Sequence, residues 1–314
     1  MKRNLLIIIF CIISFVCING HIVCFDTRFS INEFIQMSEV GNAKKQYELS
    51  LAYFNGEGVA QNVELAISWL KKSASSGYCQ AESDLGFFYC YGLSIDGVEY
   101  IKQNSNQAEF WLTEAAVQGD VEAQAHLGAL YINWDLKGIH KNVAKAAYWL
   151  LLSAKNGSEF GSGYSSLLYI FGWGVELDYL KAETYAMRGL GKSEGLAELS
   201  LGIIYSRGEK RDNSKAKCYL EEGGKQGNIL SLFMLGDLCY NGDDMGNRDY
   251  EKAFDYFKSV AESTYIYPPA MRMLAICYRT GRGCRQDLVL AKKWIEKAIE
   301  YGDTDALMLS DQFE

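Results

Sequence analysis

The chain has 314 residues, of which 49% are hydrophobic and 22% charged, with a net charge of −8 and only two prolines. The acidic balance disfavours a nucleic-acid partner, which needs basic surface to displace counterions from phosphate.

The first predicted element is an export signal. Met1-Lys2-Arg3 precedes an apolar run from Leu5 to Ile18. A basic start and an apolar core of this length predict a secretory signal peptide over residues 1–20, cleaved to leave His21 first. The rival is an uncleaved membrane anchor, for which the run is short of the about 20 residues a bilayer span needs. No later stretch could span a membrane. The chain is therefore expected to be exported, to a periplasm or beyond the cell. Residues 21–40 form an N-terminal capping segment, in which Asn32–Val40 looks like the second helix of a pair that lacks its first.

From residue 41 to 302 the sequence repeats seven times. An aromatic recurs every 34 to 42 residues as Trp69, Trp111, Trp149, Tyr185, Tyr219, Tyr256 and Trp294. Three residues before each stands an alanine, and four before that Asn62, Asn104, Asn142, Asp178, Asp212, Asp249 or Asp287. Such a period signals a solenoid of two-element units. The first half of each unit carries Ala and Leu at helical spacing and ends in Tyr53, Tyr89, Tyr131, Tyr169, Tyr205 or Tyr278, with Cys239 in the sixth unit. Glycine pairs such as Gly56/Gly58, Gly172/Gly174 and Gly281/Gly283 read as helix stop and turn. The Asn or Asp that follows reads as the N-cap of a second helix. That helix is expected to stop eight residues after its aromatic, at Gly77, Gly119, Gly157, Gly227 and Gly302, with Ser193 and Thr264 as substitutes. The recurrent Trp or Tyr is expected to fill the space between the two helices.

The units are unequal. An insertion at 94–106 lengthens the inter-helix loop of the second, with no strand expected. Trp134 replaces the first turn glycine of the third. Gly161 and Ser165 weaken the first helix of the fourth. The seventh opens with Pro268-Pro269, tolerated in a turn or at the first helical position but not deeper. Residues 303–314 look like a first helix without its second, a C-terminal cap.

The stretch GNAKKQYELSLAYFNGEGVAQNVELAISWLKKSASSG, residues 41–77, resembles the Sel1-like repeat, a relative of the tetratricopeptide repeat, and the likeness extends over about 41–302. The resemblance implies an all-α fold, a right-handed α-solenoid of about seven helix–turn–helix repeats with terminal capping helices. It implies a scaffold that binds other proteins, often in bacterial envelopes or secretion-linked settings.

Ser68-Trp69-Leu70-Lys71 matches the Ser-x-x-Lys of penicillin-binding enzymes, and Arg279-Thr280-Gly281 mimics their second motif. Both coincide with repeat positions, and the second motif belongs on a strand. His126 and His140 lack partners at zinc spacing and read as solvated surface histidines. The Gly-x-Gly pairs follow no strand. No catalytic, cofactor or metal site is therefore expected, and the protein is read as a non-enzyme. Seven cysteines lie beyond the leader. Cys218–Cys239 and Cys277–Cys284 are the feasible pairs, against the plainer reading of small buried thiols.

What remains is surface. Six, ten and thirteen residues after each unit's opening glycine, the first helix turns away from its own partner. Those positions hold Tyr47, Leu51 and Phe54, then Phe87 and Cys90, Leu167 and Ile170, and Phe233 and Tyr240. They are expected either to line the concave groove or to pack on the neighbouring unit. Trp134 and Trp173, in turns outside the aromatic slots, are further anchor candidates, since Trp is enriched at binding hot spots. Protein-binding residues are thus Tyr47, Phe54, Phe87, Trp134, Trp173, Phe233 and Tyr240. The expected function is an exported scaffold or adaptor for unidentified protein partners. The alternatives are an envelope enzyme of β-lactamase or cell-wall type, and a secreted virulence factor acting on host proteins.

Overall fold

A computed structural model describes residues 35–36, 38–132, 142–207, 211–242 and 246–313. The chain divides into two compact units, Met1–Gly161 and Ser162–Glu314. In the first, α1 (Ala43–Asn55) pairs with α2 (Val63–Ser75), α3 (Cys79–Tyr91) with α4 (Ser105–Val117), and α5 (Val121–Ile132) with α6 (Val143–Lys155). The second follows with α7 (Glu159–Phe171), which starts at the end of the first unit, and α8 (Tyr179–Gly189). Then come the pairs α9 (Leu196–Arg207) with α10 (Asn213–Lys225), α11 (Ile229–Asn241) with α12 (Tyr250–Ala261), and α13 (Pro268–Thr280) with α14 (Leu288–Glu300). The short α15 (Thr304–Leu309) runs into a 3-10 turn, Ser310–Phe313. Inside each unit a second helix also packs on the first helix of the next repeat. No described helix is long and apolar enough to cross a membrane.

The expected caps form at all seven sites. Asn62, Asn104, Asn142, Asp178, Asp212, Asp249 and Asp287 each accept, through a side-chain oxygen, an amide of the first turn of the helix they start. This satisfies a donor that has no partner within the helix. The same seven residues make a second bond that the sequence does not announce. The backbone N–H of each donates to the carbonyl of Tyr53, Tyr89, Tyr131, Tyr169, Tyr205, Cys239 or Tyr278, at 2.8–3.0 Å. That tie closes the inter-helix loop at its base. Because it uses only backbone, Cys239 serves as well as tyrosine, and chain can be inserted above it without disturbing the pair.

The insertion of the second repeat shows this, and corrects the expectation of no strand. Leu93–Ile95 and Val98–Ile101 form an antiparallel hairpin. Its turn, Asp96-Gly97, has positive φ at both residues, 52° and 83°, which suits the right-handed twist of the strands. Leu93 and Ile101 are buried in the same cluster as Leu85 and Phe88, so the hairpin adds to the core. Below it Asn104 still bonds Tyr89.

A second correction concerns the seam within each pair. The recurrent Trp or Tyr is half-buried in all repeats but the first, with a cation over several rings: Lys72 on Trp69 at 4.0 Å and Lys297 on Trp294 at 4.8 Å. The aromatic still shares the seam at its edge, stacking on the first-helix tyrosine in Tyr169–Tyr185 and Tyr205–Tyr219 at 5.6 and 5.8 Å. The residue buried deepest, however, is the next one: Leu70, Leu112, Leu150, Ala186, Leu220, Phe257 and Ile295, none more than 2% exposed. Facing four of them is glycine. A Cβ on Gly86 would meet Leu112 at 2.8 Å, and one on Gly236 would meet Phe257 at 2.6 Å; Gly128 and Gly202 face Leu150 and Leu220 as closely. The absent side chain of one helix is the seat for the large side chain of the other.

The fourth repeat departs from the pattern in its second helix. α7 runs its full length despite Gly161 and Ser165, whereas α8 stops at Gly189, before the expected Ser193. Ser193 is instead buried, and its hydroxyl accepts the amide of Ala197 at the start of α9. Pro268 and Pro269 occupy the first positions of α13, as expected.

Candidate functional site

The first helices of unit 1 carry a continuous row of rings. Phe54 on α1 lies 6.1 Å from Phe88 on α3, and Phe88 the same distance from Phe87. Phe87 lies 4.7 Å from Tyr91, one helical turn on. Both contact His126 on α5, at 5.1 and 6.0 Å, and His126 lies 5.0 Å from Phe160. Phe54 and Phe87 are half-buried, and Tyr91 is 56% exposed. Packing on the neighbouring repeat and facing solvent are thus combined in one row. Tyr47 lies beneath it, 8% exposed, with its hydroxyl donating to Asp84 at 2.9 Å.

The expected solvated His126 is corrected. Its Nδ1 is sealed from solvent and has no hydrogen-bond partner. Burial holds its pKa down at about 4, from 6.5. Below it Asp84 behaves oppositely. Burial raises its pKa to about 7 from 3.8, against the Tyr47 hydrogen bond and helped by the charge of Asp120. The folded state refuses a proton at His126 that the unfolded chain accepts as pH falls from 6.5 to 4, so this group costs stability on acidification. At Asp84 the folded state holds a proton that the unfolded chain releases between pH 7 and 3.8, so acidification there adds stability. The two contributions oppose each other. Urea melts at pH 7 and 4.5 are therefore expected to show Asp84→Asn losing stability on acidification and His126→Phe gaining it, each relative to wild type. Shifts of the same sign in both variants would refute the assignment.

Four buried polar residues tie the repeats together. Gln46, Glu82, Gln124 and Glu198 sit at one register position, five residues after Gly41, Gly77, Gly119 and Ser193. Gln124 donates to the Ala116 carbonyl of the preceding helix and accepts from Asn156 of its own partner helix, both at 3.1 Å. Gln46 bridges the Ser38 carbonyl and Ser76, Glu82 accepts from Gln118, and Glu198 accepts from Gln226 and the Gly191 amide. These bonds satisfy helix-end groups that would otherwise be stranded.

In unit 2, Phe233 on α11 contacts Phe257 at 5.6 Å and Tyr267 at 5.0 Å. Tyr240 contacts Tyr250 at 5.4 Å and accepts a hydrogen bond from Arg282 at 2.6 Å. Trp173 stacks on Phe171 at 4.7 Å. Trp134 and His140 lie outside the described residues. So do His21 and residues 1–20, expected to be an export signal.

The enzyme-like motifs separate into ordinary helix positions. Ser68 and Lys71 line an open hollow of about 440 Å³ with Ser75 and Ser76, but the Ser68 hydroxyl makes no hydrogen bond to Lys71, the contact an activated nucleophile needs. Arg279-Thr280-Gly281 ends α13, where the Thr280 hydroxyl donates to the Ile276 carbonyl. Among the described residues no cluster could hold a metal ion, and all six described cysteines are free thiols. Cys277 and Cys284 belong to one apolar cluster, and burial pushes the Cys277 thiol up to about 12.

Comparison with known proteins bears on the whole array. The Sel1 repeat family model matches at residues 46–78, 79–120, 121–158, 184–228, 229–265 and 268–303. The stretch between the third and fourth matches holds α7, which carries Gly161 and Ser165, and the start of α8. A solved Sel1 repeat protein from Oxalobacter formigenes is 25% identical, with 92% of this chain and 83% of that one covered and a TM-score of 0.57. A protective antigen of uropathogenic Escherichia coli is 24% identical over 90% of this chain and 74% of its own, with a TM-score of 0.44. No curated protein matches the chain.

Proposed function

The chain belongs to the Sel1 repeat family, and we propose that it is an exported scaffold whose first helices in unit 1 hold a segment of a protein partner. Sel1 repeat proteins generally mediate protein–protein interaction. The observation that carries the reading here is the ring row from Phe54 through Phe87 and Tyr91 to His126. Rings locked by their neighbours lose little freedom on binding, and aromatics in such settings dominate interface energies. Caps, backbone ties and buried glutamines hold the helices beneath at fixed spacing, so the surface is preformed.

The test starts with a pull-down from native envelope, with mass spectrometry naming the partner. Affinity of the purified partner is then expected to fall at least tenfold for Tyr91→Ala, about 1.4 kcal/mol, with helicity unchanged. Ser68→Ala is expected to change nothing. Full affinity in both Tyr91→Ala and Phe54→Ala would remove the row from the interface. Export is checked on the same material. Protein recovered outside the cytoplasm is expected to begin at or near His21, whereas intact Met1 in the membrane fraction would mean an uncleaved anchor.

A further inference from the structure

Unit 2 holds an arginine cleft that no ion pair explains. Its floor is made where the turn of the last repeat meets the first turn of α12. An open space of about 740 Å³ is lined there by Arg248, Arg285, Tyr250 and the two turn glycines, and by two acids, Asp249 and Glu251. Arg282 lies over the Tyr240 and Tyr250 rings, at 5.5 and 5.3 Å, and donates to the Tyr240 hydroxyl. Arg248 reaches the same pair from the other side, donating to the Tyr250 hydroxyl and to the Asn241 carbonyl, both at 3.3 Å. Two guanidinium groups are thus fixed on one tyrosine pair, and Arg285 beside them makes no hydrogen bond.

Among the described residues, none of the three has a carboxylate within ion-pair distance. Asp249, next in the chain, is already used: it caps α12 and pairs with Lys252 at 2.8 Å. Asp243 and Asp244 lie outside the described residues. An arginine has five donors in a planar fork, and those held here by tyrosine hydroxyls and ring faces keep most of theirs for another acceptor. Holding the forks in place beforehand also removes much of the ordering cost of binding. In a chain of net charge −8, three arginines without an ion pair, set against Glu251 and an Asp249 already neutralised by Lys252, leave a local positive charge that the fold itself does not consume.

We propose that this cleft binds a carboxylate-rich segment of a protein partner, whose side chains pair with Arg248 and Arg285 in the cleft and with Arg282 on the tyrosine pair beside it. This rests on the scaffold reading and adds the partner's chemistry to it. A lone phosphate is the poorer occupant. The cleft is far larger than one such ion, the Lys252 amide at the helix start is taken by Asp249, and Glu251 would oppose so concentrated a charge.

Fluorescein-labelled hexaglutamate on the full chain tests it, read by polarisation at low salt. Hexaglutamate is expected to bind and hexaglutamine not to. Arg248→Gln/Arg282→Gln is expected to weaken binding at least tenfold, and Arg285→Gln, which breaks no bond in the fold, severalfold. Arg188→Gln on α8 removes the same charge elsewhere and is expected to leave binding unchanged. Equal binding of hexaglutamine, an unaffected Arg285 variant together with an unaffected double variant, or displacement by inorganic phosphate as readily as by unlabelled hexaglutamate would each overturn the inference. Hexaglutamate failing to bind a chain that still holds its purified partner sinks the cleft alone. A wild-type chain that captures no protein sinks the scaffold reading.

Discussion

Phe257→Ala is expected to destabilise the protein by about 3–5 kcal/mol, the range for truncating a buried Phe. Phe257 is fully buried and heads the large side chains of the core. Its ring sits between Phe233, Tyr240 and the open face of Gly236. No neighbour can swing in to fill the space, because the surrounding rings are fixed by contacts of their own. Gly236→Ala in the wild-type background is expected to cost about 1–3 kcal/mol, since the new methyl meets the ring and α11 must retreat from α12. With the ring gone that methyl has room. The double variant Gly236→Ala/Phe257→Ala should therefore lose clearly less than the sum of the single losses. Denaturant melts of the four proteins measure the coupling. Additive losses would mean that the two helices do not share this seam.

That seam also shows how far residues alone lead. The caps were legible because N-capping is local chemistry: Asn or Asp four residues before alanine leaves one interpretation at all seven sites. The buried seat was misplaced by one residue. A periodic Trp looks like core, yet its ring is long enough to lie along the edge of the helix pair under a lysine, while the plain Leu behind it faces inward. The signal was present in Gly86, Gly128, Gly202 and Gly236, glycines inside helices where their cost is explained only by a large partner. His126 stands in the apolar run AHLGAL, a context that fits burial better than solvent. The inserted hairpin was read as loop because SIDGVEYI is short; its Asp-Gly turn between apolar residues was the overlooked mark. Other features had no local signature. The bonds of Glu198 to Gln226, Gln124 to Asn156 and Arg282 to Tyr240 join residues 28, 32 and 42 apart in sequence, and they form only once the helices are packed. Five of the seven proposed anchors, Tyr47, Phe54, Phe87, Phe233 and Tyr240, follow from register, which finds positions facing away from the partner helix; Trp134 and Trp173 follow from tryptophan in a turn. Register does not tell Tyr47, sunk against Asp84, from Phe87, which is half-buried.

Gly283→Ala is expected to be far more damaging than Gly281→Ala, although the two glycines look alike in sequence. Both have left-handed backbone, φ 77° and 68°, so alanine at either meets the same conformational penalty, about 1 kcal/mol. Their surroundings differ. A Cβ on Gly281 would lie 3.4 Å from the Gln286 Cβ, an ordinary contact. A Cβ on Gly283 would overlap the carbonyl of Tyr250 in the first turn of α12. That carbonyl is backbone in a capped helix and no rotamer change removes it, so the whole turn has to lift. The expected cost is on the order of 3 kcal/mol, in the range of overpacking plus backbone strain. Lifting the turn also carries Arg282 off the Tyr240–Tyr250 pair. Gly283→Ala should therefore lose hexaglutamate binding under conditions where it remains folded, while Gly281→Ala keeps it. Equal urea midpoints for the two variants would show that the turn does not rest on α12, and the arginine cleft would lose its floor.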